Sequence, residues 1–180
     1  MPMLYSEVRK YFAGLATQVS EDAIITGMVK PKIGDVFEIP TAKGFSYAQY
    51  THENALMGAL IRVFDQLYPA KAENLERIVE GPVRFSTFFP LKAAIQQDIY
   101  KIVANYDVSK SNRAFPIFRT GMVDPKTKKV LVWWLWDGEK EWKIGELTPE
   151  QRKLPIRGVW NVAMLEQRIE EGWRPETDLT

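Results

Sequence analysis

His52 is the residue best suited to acid–base or metal chemistry, because it is the single histidine of the 180 residues. The chain contains no cysteine, so a metal site would have to combine His52 with carboxylates, and only Glu53 lies close to it in sequence. Nucleophilic catalysis has equally little support, since Ser46 and Thr51 lie on predicted strands and not in a nucleophile elbow. We therefore predict no catalytic residue, no metal site, no cofactor and no enzymatic activity, and interpret His52 as a structural or surface residue.

Tryptophan is the other side chain with binding chemistry, and Trp133, Trp134 and Trp136 lie on one predicted strand. Exposed, they could form an aromatic cage for a cationic or methylated ligand, or a hot spot for a protein partner. The favoured alternative is that they fill the core. We predict that Val130–Trp136 is a central strand in which Trp133 and at least one of the other two are mostly buried.

Two charged windows could also bind partners. The basic window, which contains two phenylalanines, could grip a phosphate backbone, although lysines 126, 128 and 129 are also typical of a solvated hairpin turn. Its basic residues are Lys110, Arg113, Arg119, Lys126, Lys128 and Lys129. The acidic window is typical of a solvated helix face, and in a binder of a basic protein it would steer association. Its residues are Glu166, Glu170, Glu171, Glu176 and Asp178.

Composition limits the function classes. The 24 basic and 23 acidic residues nearly cancel, so no global field directs the protein to nucleic acid or to an anionic membrane. The absence of cysteine fits a reducing compartment. The first 15 residues lack the pattern of a secretory signal, and no window approaches the roughly 18 apolar residues of a membrane span. We predict a cytoplasmic protein with no membrane partner and with nucleic acid as an unlikely one.

The elements that position these side chains follow from apolar spacing and turn residues. A β-meander is predicted from Asp35–Ile39 and Phe45–His52, with Gly44 in the turn, followed by a third strand over Met57–Phe64. Asn161 is predicted to cap a C-terminal helix over Val162–Glu171. The fold class is α+β: a mostly antiparallel bent sheet, or a partly open SH3-like barrel, with flanking N- and C-terminal helices.

The whole chain is predicted to form one domain. Residues 1–30 contain an N-terminal helix over about 4–17 and a connector, residues 31–172 form the β-rich body with its C-terminal helix, and residues 173–180 are a tail that is expected to be loose from residue 174. Its 46% of hydrophobic residues are ample for a sizeable core.

The order of several short motifs carries a family resemblance. They are Gly34-Asp35-Val36-Phe37-Glu38-Ile39-Pro40, Tyr47-Ala48-Gln49-Tyr50, Phe85 through the predicted 91–97 helix to Tyr100-Lys101-Ile102-Val103, Phe115-Pro116-Ile117-Phe118-Arg119, and Trp134 to Gly138. Over residues 30–172 the chain resembles the immunity protein 26 family, small and mostly β proteins that accompany bacterial polymorphic toxins. The Gly-Asp strand usually comes near the start of those proteins, whereas here a predicted helix precedes it. The resemblance implies that the protein binds and neutralises a cognate toxin, without catalysis.

We predict that function lies in a surface rather than in a pocket. On the second predicted strand, Tyr50 and His52 should share a face and carry polar tips that suit a rim. Arg62 and Asp65, at the end of the third strand, would extend that patch if the two strands pair. The predicted partner-binding residues are therefore Tyr50, His52, Arg62 and Asp65, with tyrosine and arginine as anchors.

Two other functions stay open on the sequence alone. One is a small β-barrel module that binds nucleic acid or a modified peptide through residues 110–129 and the tryptophans. The weaker one is an enzyme whose site is assembled from scattered carboxylates. Salt dependence separates the first of these from a protein–protein complex, because phosphate contacts weaken steeply as salt rises.

Overall fold

The computed structural model of the protein describes residues 29–178, of which residues 31–178 belong to one compact unit. The N-terminal helix predicted over 4–17 lies outside the described residues. The helices are α1 (Leu75–Val79), α2 (Leu91–Gln96), α3 (Pro149–Arg152) and α4 (Val162–Glu170). The strands are β1 (Asp35–Thr41), β2 (Gly44–Asn54), β3 (Gly58–Phe64), β4 (Val83–Phe89), β5 (Lys101–Asn105), β6 (Phe118–Val123), β7 (Val130–Trp136) and β8 (Glu141–Gly145).

Five strands form the larger sheet, in the order β4-β3-β2-β1-β5 with antiparallel neighbours. The predicted β-meander is its centre. Gly44 turns the chain with a positive φ of 126°, and a Cβ there would lie 2.1 Å from the Tyr68 carbonyl oxygen. Register shifts interrupt three of the four strand pairs, and such bulges bend a sheet.

One face of this sheet packs against helices, and we call it the helix-covered face. Its strands contribute aromatic and aliphatic side chains, among them Phe37, Ala48 and Ile61, to a core that includes residues of α2 and α4. Leu165 and Ile169 of α4, one helical turn apart on the same side of the helix, are fully buried there. Asn161 caps α4 by accepting a hydrogen bond from the Met164 amide at 2.8 Å, which confirms the predicted start of the helix.

The opposite face, which we call the crossed face, has two apolar clusters with a polar row between them. At one end Val36, Tyr47 and Phe64 pack against α1. At the other end Leu60 and Phe88 pack against residues of the smaller sheet.

Between the clusters lies a polar row that consists of Gln49, Arg62 and Ser86. These three residues are cross-strand neighbours on β2, β3 and β4.

The smaller sheet has the order β6-β7-β8, so the apolar strand β7 is central as predicted. Trp133 and Trp136 are buried, which confirms the prediction for this strand, while Trp134 is 37% exposed. Gly121 lies opposite Trp133 in the β6–β7 register. A Cβ at Gly121 would lie 2.3 Å from a methyl carbon of Val130, so only glycine fits between these side chains.

An extended segment, residues 155–160, joins the two sheets. It pairs in parallel with β4 through the Phe88–Val159 bridge and with β6 through the Arg119–Ile156 bridge. Three hydrogen bonds at these bridges measure 2.9 Å: Arg119 N to Pro155 O, Arg157 N to Arg119 O, and Trp160 N to Phe88 O. Both sheets are open and mostly antiparallel, which confirms the α+β fold class with a bent sheet.

The chain after α4 is packed and ordered, so the expectation of a loose tail is wrong for residues 174–178. Trp173 and Pro175 are buried, and Pro175–Thr177 form a 3-10 helix. The guanidinium of Arg119, which is fully buried, donates hydrogen bonds to the carbonyl oxygens of Leu154 and Pro175 and stacks on Trp133 at 5.0 Å. The predicted boundary of the domain body, at residue 172, is a separate matter and stays a prediction.

Candidate functional site

The four residues predicted to bind a partner do not form one exposed patch. Tyr50 is 7% exposed and Arg62 is 8% exposed, whereas His52 and Asp65 are half-buried. The expectation of an exposed patch is therefore wrong for Tyr50 and Arg62. Whether any of the four contacts a partner stays a prediction.

A β-bulge explains why the strand alternation failed. The β2–β3 register shifts between Tyr50 and His52, so that Tyr50 lies opposite Ile61 and His52 lies opposite Leu60. Ile61 belongs to the helix-covered face and Leu60 to the crossed face. Tyr50 and His52 consequently lie on opposite faces of the sheet, although they are two positions apart in sequence and regular alternation would place them on the same face.

His52, Arg62 and their neighbour Gln49 hold a loop on the crossed face. This crossing loop, residues 106–117, connects β5 of the larger sheet to β6 of the smaller one. Arg62 donates to the Ala114 carbonyl at 2.8 Å, and Gln49 donates to the Tyr106 carbonyl at 2.9 Å. The His52 Nε2 atom lies 2.8 Å from the Arg113 carbonyl oxygen, which can only accept.

Burial makes the polar row electrostatically unusual. It lowers the pKa of the Arg62 guanidinium to about 10, because the charged form loses hydration there. Burial likewise lowers the pKa of His52, an effect that the hydrogen bond to Arg113 opposes in part. The Arg62 Nε atom and the Gln49 Oε1 atom are buried without a hydrogen-bond partner. The row therefore serves to fix backbone carbonyls of the crossing loop, and solvent reaches little of it.

Asp65 also fastens separate elements together. Its Oδ1 atom accepts from Arg84 of β4 at 3.1 Å and from Arg174, which follows α4, at 2.6 Å. These two guanidinium groups, that of Arg174 first, lower the pKa of the Asp65 carboxyl. Arg84 in addition donates to the Ile169 carbonyl of α4 at 3.1 Å. Asp65 therefore ties the C-terminal segment to the edge of the larger sheet.

Exposed apolar side chains lie on the β6–β7 hairpin, for which the sequence predicts core side chains and a solvated turn. Met122 is 88% exposed and Leu131 is 70% exposed, and Val123 and Trp134 of the same hairpin are partly exposed. The signal that could have found this surface is the length of the apolar run Val130–Trp136. With Met122 and Val123 opposite, that run carries more apolar side chains than one end of a small sheet can cover.

The turn of this hairpin is basic. Lys126, Lys128 and Lys129 are all exposed at it. The Asp124 carboxylate accepts hydrogen bonds from the backbone amides of Lys126 at 2.7 Å and Thr127 at 2.8 Å, and these amides lower the pKa of Asp124. The Asp124 carboxylate is thus bound by backbone amides within the turn, whereas the ammonium groups of the three lysines are exposed to solvent.

The sequence model of the family described as Immunity protein 26 matches residues 32–129, a little over half of the chain. The chain belongs to the immunity protein 26 family. No curated protein and no solved structure matches it. The immunity protein 26 match begins just before β1, spans the larger sheet and the crossing loop, and ends at Lys129 in the basic turn.

Two further findings concern residues 29–178 of this immunity protein 26 member. Within that range no helix is long and apolar enough to cross a membrane. The same residues include no group of three or more histidine, cysteine, aspartate or glutamate side chains that could hold a metal ion. His52 has Thr51, Arg113 and the Phe115 ring as its immediate neighbours.

Proposed function

We propose that this protein is a cytoplasmic immunity protein that binds a cognate bacterial toxin in a stoichiometric complex and thereby neutralises it without catalysis. Membership of the immunity protein 26 family carries the proposal. The exposed apolar side chains of the β6–β7 hairpin support it, because large apolar side chains that are exposed together on one element commonly mark a protein interface.

Co-expression tests the proposal directly. The toxin domain encoded beside the gene for this chain is expressed in a bacterium with and without the chain, and survival is measured. We expect the full chain to restore growth, and to leave cells expressing an unrelated toxin unprotected. Growth arrest that the chain does not relieve would contradict the proposal.

Titration separates a binder from an enzyme. A stoichiometric inhibitor abolishes toxin activity at about one equivalent of chain per toxin, with an affinity that follows from one interface. An enzyme that modified the toxin, or reversed its product, would protect at far less than one equivalent. Full protection at a small fraction of an equivalent would therefore exclude a purely binding mechanism.

The nucleic-acid alternative is weakened by the placement of its side chains. Arg119 and Phe118, two residues of the basic window, are fully buried, and so cannot grip a phosphate backbone. The proposed aromatic cage is weakened in the same way, because Trp133 and Trp136 are buried in the sheet. The exposed lysines of the turn remain, and their binding to nucleic acid would weaken steeply with salt.

A further inference from the structure

The β6–β7 hairpin extends beyond the part of the molecule that covers it. Phe118 and Trp136 are cross-strand neighbours in the buried cluster shared with the larger sheet. One step along the same face, Thr120 lies opposite Trp134, and Trp134 is 37% exposed. Two residues further along β6, where the register with β7 shifts, Met122 is almost fully exposed. The hairpin thus runs from the core into solvent and carries apolar side chains at both ends.

Apolar exposure is concentrated on this sheet. Five of the thirteen large hydrophobic residues that are exposed within residues 29–178 belong to β6, β7 and β8: Met122, Val123, Leu131, Trp134 and Trp142. The other eight are distributed over the remaining elements and loops. Methionine and tryptophan are enriched where proteins bind proteins, because they supply large contact areas.

The charges at the β6–β7 turn, which follows Met122 and Val123, have one predominant sign. Lys126, Lys128 and Lys129 surround the turn, and Lys143 of β8 lies opposite Trp134. Asp124 is the acidic residue of the β6–β7 turn, and its carboxylate is bound by two backbone amides. An apolar centre with a basic border complements a partner surface with an apolar centre and an acidic border. A phosphate backbone would match the lysines but would leave Met122 and Leu131 without a partner.

We propose that the distal half of the β6–β7 hairpin, residues 120–134, is the surface that contacts the toxin, through an apolar patch bordered by acidic side chains on the toxin. This inference rests on the proposed function and assigns its interface. It replaces the first β-meander, where Tyr50 and Arg62 are buried, as the main contact surface.

The test measures affinity of the full chain for the toxin domain encoded beside its gene, by calorimetry. The apolar variant is Met122→Ser/Leu131→Ser, and its matched control is Leu56→Ser, which changes a side chain that is 92% exposed in the β2–β3 turn. We expect the apolar variant to raise Kd about tenfold or more. The control should stay within about twofold of the parent. Thermal melts check that each variant folds, and the exposure of these side chains predicts little change in Tm.

A second pair of variants tests the charge. Lys126→Glu/Lys129→Glu reverses two charges on the hairpin, and Lys92→Glu/Lys101→Glu reverses two exposed charges elsewhere. Both pairs change the net charge equally, so a general field effect would slow both alike. We expect only the hairpin pair to slow association with the toxin, by about fivefold or more at low salt.

Each outcome decides the inference. If the parent binds the toxin and both hairpin variants bind as tightly as the parent, the surface is wrong while the proposed function stands. If the parent neither binds nor protects, the proposed function fails and this inference fails with it. A parent dimer that the apolar variant converts to a monomer would assign the surface to a second copy of the chain. Binding of the parent to duplex DNA or RNA that Lys126→Glu/Lys129→Glu abolishes, with toxin affinity unchanged, would also overturn it.

Discussion

Buried polar side chains on the crossed face show how single residues stabilise a connection without forming a binding patch. Arg62 is cationic and almost fully buried, and its hydrogen bonds go to the Ala114 carbonyl at 2.8 Å and the Ser86 hydroxyl at 3.5 Å. Backbone carbonyl dipoles therefore compensate part of its lost hydration. Without Arg62, the Ala114 carbonyl of the crossing loop would be buried without a hydrogen-bond donor, which costs free energy. The hydrogen bond from Arg62 removes this cost and so offsets part of the cost of burying the cation.

His52 leads to a prediction about pH. Burial lowers its pKa in the folded state, so the unfolded chain binds a proton at a higher pH than the folded chain does. The stability contributed by neutral His52 is therefore complete above about pH 6.5 and is lost as the pH falls through 6.5 toward the lower folded pKa. We expect the free energy of unfolding to decrease more between about pH 7.5 and about pH 5 in the parent than in His52→Gln.

The glutamine variant is a matched control because its amide can still donate to the Arg113 carbonyl but cannot titrate. Urea denaturation at a series of pH values measures both proteins. Parallel pH profiles for parent and variant would show that His52 titrates alike in the folded and unfolded chain, and would refute the prediction.

At the scale of elements, β7 shows what an apolar run does and does not determine. Seven consecutive apolar residues between two turns predict a central strand, and the structure confirms it. Alternation alone would place Trp134 and Trp136 in equivalent environments. Trp136 packs against Phe88, Phe118 and Phe115, whereas Trp134 lies beyond that cover and is partly exposed.

This difference predicts unequal costs of truncation. Trp133→Ala should lower the free energy of unfolding by about 3–5 kcal/mol, because it leaves a cavity and removes the stacking partner of Arg119. Trp134→Ala should cost at most about 1–2 kcal/mol, since solvent already reaches that ring. Urea denaturation followed by far-UV circular dichroism measures both. Equal losses of unfolding free energy in the two variants would show that Trp133 and Trp134 are equally important for packing, and would contradict the prediction.

Local sequence patterns predicted most elements but not the contacts that arrange them. The β-meander, β7 and α4 each followed from apolar spacing, turn residues or caps, which act within a few residues. The bulge after Tyr50 reverses the side of every later residue on β2, and no local residue type indicates it. The burial of Arg62 depends on a loop about fifty residues away, and the exposure of Met122 depends on where the larger sheet ends.

At the scale of the whole molecule, two contacts join the sheets into one unit. The segment 155–160 forms parallel bridges to β4 and to β6. The cluster of Leu60, Phe88, Phe118 and Trp136 draws two residues from each sheet, and the rings of Phe88 and Phe118 stack at 5.1 Å. Because neither sheet can lose its partner without exposing this cluster, the described body should not unfold sheet by sheet.

We therefore predict a single cooperative unfolding transition for both sheets. Native-state hydrogen exchange should give the most protected amides of β2 and β7 the same free energy of opening. Phe88→Ala should lower both values together, by about 3–5 kcal/mol, because the ring contributes to the shared cluster. Val36→Ala, a buried substitution in the cluster beside α1, is the matched control and should also lower both values, by a smaller amount. A contrary outcome would be that Phe88→Ala lowers the free energy of opening for the amides of β7 and leaves that of β2 unchanged. The two sheets would then be separate cooperative units, and residues 155–160 would not couple them.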